Sequence, residues 1–182
     1  MDSMTFLLFG ATGDLATRKM YPALYKLFSN QNIPQSISII GIGRRVISDV
    51  EFQTKVEQSL ATFSRISTDD EPGVEEFIST FRYCQLDTAN IEDYQDLLSL
   101  VKMRETELNI PKNRMFYLSV IPEVFDVIAL NIKESGLWAT KGLNRLILEK
   151  PFGHSVKSAR ELNTKVIKSF DKADIYCIDH YL

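Results

Sequence analysis

Two glycines and an alanine at fixed spacing follow a short apolar run near the N-terminus, in Gly10-Ala11-Thr12-Gly13-Asp14-Leu15-Ala16. The pattern G-x-x-G-x-x-A has the chemistry of a diphosphate cradle. Gly10 permits a tight turn, Gly13 lets the backbone approach a diphosphate with no Cβ in the way, and Ala16 lets the next helix pack closely on the strand. The free N–H groups and positive dipole end of that helix would face the phosphates. Taken without its setting, the glycine pair also fits a simple tight turn. The P-loop pattern G-x-x-x-x-G-K-[ST] is absent. A second cluster, Gly41-Ile42-Gly43-Arg44-Arg45, closes the second apolar run. An NAD-binding unit carries Asp or Glu here, to accept hydrogen bonds from the adenosine ribose hydroxyls. This chain has no acid there, and a guanidinium pairs with phosphate through two parallel hydrogen bonds. The cluster therefore predicts NADP over NAD, although spacing alone also fits two surface arginines that open a loop.

The elements that would hold these groups alternate along the chain. Strand-like runs lie at Met4–Gly10, Ser36–Gly41, Arg82–Leu86, Arg114–Val120, Asn144–Glu149 and Ile175–Asp179. Helical spacing covers Asp14–Phe28, with Pro22 predicting a kink or break, then Val74–Phe81, Glu92–Leu108, Glu123–Glu134 and Ser155–Phe170. Another helix starts at Ser48 and Asp49, where Glu51 completes a capping box. Asp69-Asp70-Glu71-Pro72-Gly73 is a loop, and Ser135-Gly136 is a helix stop. Short strands alternating with helices imply right-handed crossovers and a mostly parallel six-stranded sheet covered on both faces. The predicted fold class is a Rossmann-like, doubly wound α/β domain. Ligands then bind at the carboxyl ends of the strands, after Phe9, Ile40, Cys84, Val120, Leu148 and Ile178.

Composition narrows the functional classes. With 45% hydrophobic residues in 182, the chain has material for a sizeable core, which argues against disorder. A net charge of −3 does not fit a nucleic-acid binder but leaves room for a local basic pocket. No apolar run approaches the ~18 residues of a membrane span, and Met1-Asp2-Ser3-Met4 lacks the basic start of a signal peptide. Cys84 and Cys177 read as two reduced core thiols; with only His154 and His180 besides, no zinc site of usual spacing can be drawn. A cytoplasmic location is expected.

At these residues the chain resembles the glucose-6-phosphate dehydrogenase family. The likeness rests on GATGDLATRKMYPALYKLF at Gly10–Phe28, NRMFYLSVIP at Asn113–Pro122, NRLILEKPFGH at Asn144–His154 and IDHYL at Ile178–Leu182. These segments stand in the family's order and spacing across essentially the whole chain. The resemblance implies that Gly10, Ala11, Thr12, Gly13, Asp14, Leu15, Ala16 and Thr17 hold the NADP diphosphate and that Arg44 binds the 2′-phosphate. It implies that Asp87 and Thr88 line the cofactor site, and that Lys150 sits between cofactor and sugar phosphate, before the hinge position Pro151. It further implies that His180 and Tyr181 grip the phosphate of glucose 6-phosphate and that Asp179 supports the catalytic histidine. The residue types suit these roles, since an ammonium at a strand end can reach an anion in the crevice. On position alone, Lys150 also fits a lysine that snorkels to solvent, His180 a structural or solvated histidine, and Asp179 a cap of the chain end.

The chain also departs from the family. Its last motif usually runs R-I-D-H-Y-L-G-K-E; here Cys177 stands in place of the arginine and the sequence stops at Leu182, before the lysine that is a substrate ligand. The resemblance implies a second, α+β domain, with its proton-accepting histidine, most sugar contacts and dimer interface, which is expected to lie outside these 182 residues. The expectation is an NADP-binding domain over 1–182 with little or no dehydrogenase activity by itself. Two alternatives stand beside it: an NADP-binding regulatory or interaction protein derived from the truncated fold, with self-association through an exposed domain interface, or another NADP-dependent sugar oxidoreductase.

Overall fold

The first apolar run forms β1 (Thr5–Phe9), with all five residues buried. The structure, a computed structural model, describes residues 2–64, 73–150 and 170–179. The other strands are β2 (Ser38–Gly43), β3 (Phe81–Gln85), β4 (Arg114–Leu118), β5 (Asn144–Lys150) and β6 (Ile175–Asp179). They form one sheet in the order β3-β2-β1-β4-β5-β6, with every neighbouring pair parallel. This is the doubly wound order, and strand order reverses between β1 and β4, where a crevice opens at the carboxyl ends.

The helices are α1 (Tyr21–Ser29), α2 (Asp49–Phe63), α3 (Val74–Ser79), α4 (Ile91–Glu107) and α5 (Phe125–Glu134). Alternation along β1 divides the core. Phe6 and Leu8 pack with Tyr25, Phe52 and Phe77 of α1, α2 and α3, whereas Leu7 and Phe9 pack with Leu97 and Ile128 of α4 and α5. The capping box at Ser48 is formed: its hydroxyl accepts from the Glu51 amide at 3.2 Å, and its amide donates to Glu51 Oε2 at 2.7 Å.

Two expectations change, and a third takes an unforeseen form. The helical run over Asp14–Phe28 changes character just before Pro22, which stands in the first turn of α1. The preceding turn, Ala16–Met20, opens to π geometry, and the Tyr21 amide donates to the Ala16 carbonyl five residues back. That wider turn accommodates a residue that lacks an N–H and would clash in a regular α-helix. The second strand begins and ends two residues later than the apolar run predicts, because parallel pairing with β1 sets Ser38 opposite Thr5 and Ile42 opposite Phe9. Gly41 lies inside it: a Cβ there would come 2.2 Å from the Phe52 ring. Cys84 is buried as expected, but Cys177 is exposed, since β6 forms the sheet edge and its neighbours Tyr176 and Ile178 are exposed too. The Asp69–Pro72 part of the loop and nearly all of the Ser155–Phe170 helix lie outside the described residues; Phe170 itself is buried.

One buried ion pair ties α4 to the start of β4. Arg114 Nε and Nη2 donate to Glu105 Oε1 and Oε2 at 2.8 and 3.0 Å, and Nη1 donates to the Leu137 carbonyl at 2.7 Å. Glu105→Ala strands a buried guanidinium, so urea denaturation should show a loss of about 3–5 kcal/mol; a loss below about 1 kcal/mol contradicts this role. Burial, reinforced by Asp96 and Asp93, pushes the Cys84 thiol up to about 11. Because the thiolate is the nucleophile, iodoacetamide at pH 8 should modify Cys177 well before Cys84 in peptide mass spectra; equal rates contradict the burial argument.

Candidate functional site

The turn after β1 is held from both sides by neighbouring strands. Gly10 and Ala11 amides both donate to the Ile42 carbonyl of β2, at 3.0 and 3.1 Å. On the other side the Ser119 amide, just after β4, donates to the Phe9 carbonyl at 3.0 Å. Gly10 has φ +83°, and a Cβ on it would lie 2.0 Å from the Ser119 carbonyl oxygen. Gly10 is therefore required twice, by backbone conformation and by close approach. Gly13 is different. It is exposed, and a Cβ there would meet only the Gly10 carbonyl, at 3.1 Å, so its bare backbone faces open space.

The helix then starts. The Gly13 carbonyl accepts from the Thr17 amide at 3.2 Å and from its hydroxyl at 3.0 Å. That leaves the amides of Asp14, Leu15 and Ala16 as first-turn donors, the groups that receive an anion. Asp14 would repel such an anion, but Arg18 Nε holds its carboxylate at 2.7 Å. Ala16 is fully buried against the sheet, and Ala11 is buried beneath the turn, where its carbonyl accepts from the Tyr21 hydroxyl.

A crevice of about 340 Å³ opens over this turn. Gly10, Thr12 and Gly13 line it from β1, Gly43 and Arg44 from β2, Thr88 after β3, and Ser119 to Ile121 after β4. Arg44 is the single charged residue among the described residues that line it, and it takes part in no ion pair with them. Arg45 turns away into a neighbouring groove with Thr17, Lys55 and Ser59; Thr12 borders both spaces. Thr88 reaches the crevice, and its carbonyl accepts from Tyr94 and Asn131 at 3.0 and 2.9 Å. Asp87 is not among the lining residues; its carboxylate accepts from the Ala89 amide at 3.0 Å and shapes the turn that presents Thr88.

The crevice continues across the switch point into a space of about 370 Å³ bordered by Gly13 to Leu15, Ser119 to Pro122 and Glu149. Glu149 accepts a hydrogen bond from the Tyr117 hydroxyl, and burial followed by the Glu149 charge raises the Tyr117 pKa. Parallel pairing of β5 and β6 places Lys150 opposite Asp179 at the carboxyl ends. Pro151, His154, His180 and Tyr181 lie outside the described residues. Sequence reasoning gave no role to Ser119, Ile121, Gly43 or Glu149, although Gly43 lies in the arginine cluster and Glu149 in the family-like segment Asn144–His154. The strand-end rule points near all four, and Glu149 directly follows Leu148. Among the described residues no cluster could hold a metal ion, and no helix is long and apolar enough to cross a membrane.

A cleft across the switch point, with a bare glycine and unpaired helix amides at its centre, fits an extended nucleotide with a diphosphate in the middle. Comparisons agree. The model of the family described as glucose-6-phosphate dehydrogenase, NAD binding domain, matches residues 7–182. The chain is 42% identical over 176 residues to a glucose-6-phosphate 1-dehydrogenase of Bacillus subtilis, covering 97% of this chain and 35% of that protein. It is 38% identical over 174 residues to the Leuconostoc mesenteroides enzyme of the same name, covering 96% of this chain and 35% of that one. A solved glucose-6-phosphate dehydrogenase in complex with its substrate glucose-6-phosphate superposes with a TM-score of 0.89 at 32% identity, over 99% of this chain and 37% of that one. The chain thus spans little more than a third of the proteins it matches.

The two glycines should separate fold from binding. Gly10→Ala should cost about 1–3 kcal/mol from backbone conformation alone, and more from the Ser119 contact, as a lower midpoint in thermal unfolding. Gly13→Ala should keep the midpoint near that of the parent yet weaken coenzyme in fluorescence titration. Matching behaviour of the two variants contradicts this division of roles.

Proposed function

The chain belongs to the glucose-6-phosphate dehydrogenase family, and on that footing we propose that its crevice takes NADP+ in preference to NAD+. The observation that carries the preference is Arg44. It is the one charged group among the described lining residues and stands where an NAD-binding sheet places a carboxylate. Its planar donors match a 2′-phosphate, and among the described residues that line the crevice beside it there is no acid to oppose that charge. Gly13 and the first-turn amides of Asp14, Leu15 and Ala16 bind the diphosphate, with Thr12 and Thr17 at the rim. Thr88 borders the space left for the adenosine half.

The whole protein, in this reading, oxidises C1 of glucose 6-phosphate in the cytoplasm. When bound, NADP+ supplies the hydride acceptor. Lys150, at the end of β5, holds the sugar phosphate close to the coenzyme, and His180 and Tyr181 donate to the same phosphate. Asp179 supports the base that removes the C1 hydroxyl proton, and a second, α+β domain contributes that base. Holding two reactants in near-attack geometry is worth about 7–11 kcal/mol, so a lone coenzyme domain turns over little or no sugar phosphate.

Calorimetry on the 182-residue chain tests the coenzyme preference. Arg44→Ala should weaken NADP+ about ten- to a hundredfold, the worth of a charge-assisted contact, and leave NAD+ nearly unchanged. Equal affinity of the parent chain for both coenzymes sinks the proposal.

A further inference from the structure

Arg44 is exposed, and its long side chain has much rotamer freedom to lose on binding. Its backbone, by contrast, is pinned on both sides. The Gly43 carbonyl accepts from the Leu86 amide at 2.9 Å. The Arg45 carbonyl accepts from the Tyr83 hydroxyl at 2.9 Å. Arg44 lies between these two fixed carbonyls.

Tyr83 is built to stay in place. It is buried, and its ring packs on Phe52 with centroids 5.1 Å apart. Its amide donates to Asp49 Oδ1 at 2.7 Å, at the start of α2, where Asp49 Oδ2 also faces Arg82 at 3.7 Å. Gly43 makes room for the hydroxyl: a Cβ there would lie 2.8 Å from Tyr83 Oη. Burial raises the Tyr83 pKa, so the hydroxyl remains a donor through neutral pH.

We propose that Tyr83 is a positioning residue for coenzyme selection: its hydroxyl holds the Arg44–Arg45 turn so that the Arg44 guanidinium points into the crevice. The inference rests on the NADP+ reading given above. It goes beyond that reading by assigning part of the selectivity to a side chain that does not line the crevice. The Tyr21 hydroxyl offers the contrast. It donates to the Ala11 carbonyl under the diphosphate turn, which both coenzymes use.

The test is calorimetric titration of the 182-residue chain with NADP+ and with NAD+. Tyr83→Phe removes one neutral hydrogen bond and keeps the ring. It should weaken NADP+ about two- to tenfold and leave NAD+ unchanged. Tyr21→Phe should weaken both coenzymes alike. Combined with Arg44→Ala, Tyr83→Phe should cause no further loss for NADP+, because both changes remove the same contribution. Equal weakening of both coenzymes by Tyr83→Phe, or a full additional loss in the double variant, overturns the inference, as does unaltered NADP+ binding. If the parent chain shows no NADP+ preference, or Arg44→Ala keeps it, the underlying reading fails instead. Gly43→Ala, at a residue that itself lines the crevice, adds a one-sided check, because its methyl displaces the hydroxyl. It should lower the ratio of NADP+ to NAD+ affinity, and an unchanged ratio counts against the inference even if Tyr83→Phe cannot be purified folded.

Discussion

At the end of β1 there is no room for a side chain. The Ser119 carbonyl occupies the place that a Cβ on residue 10 would take, and the backbone there is left-handed. The same turn gives two amides to the Ile42 carbonyl. Three strand ends, β2, β1 and β4, are thereby drawn together around a bare stretch of main chain. Everything at the site follows from that closeness: the helix amides open directly over the switch point, and the nearest side chains of β2 and β4 become its walls.

Charge is arranged locally rather than globally. The chain carries a net charge of −3, yet the part of the crevice over the glycine turn has, among the described residues, a single charged side chain, a guanidinium. Asp14, one residue beyond Gly13, is held by Arg18, which limits its repulsion of an anion. Such exposed pairs contribute little stability, so this one matters through its position.

Support for the loops comes from one side of the sheet. Aromatic rings of α1, α2, α3 and β3 interlock there, with Phe77 and Phe81 centroids 5.0 Å apart and Tyr21 and Phe81 5.7 Å apart. From this layer two hydroxyls reach upward, Tyr21 to Ala11 and Tyr83 to Arg45. Aromatic side chains suit this work, since a rigid ring carries its hydroxyl to a defined place. Core packing and site geometry are thus the same set of contacts viewed from opposite ends.

Much of this was legible in the residues alone. Alternating strand and helix runs, the G-x-x-G-x-x-A turn, the capping box at Ser48 and the arginines after Gly43 are local patterns, and local patterns report local backbone. The π turn before Pro22, the extension of β2 through Gly41 and the exposure of Cys177 were not legible, because each depends on what a neighbouring strand or helix does. Nor could periodicity show that Asp87 shapes a turn while Thr88 faces the crevice, that Glu149 meets Tyr117, or that Tyr83 reaches Arg45. Those pairs are 32 and 38 residues apart in the last two cases. By itself the sequence determined the elements and the chemistry they carry. Only the parallel register and the crossing of the chain at the switch point decided which groups meet, since these bring together residues that no local spacing relates.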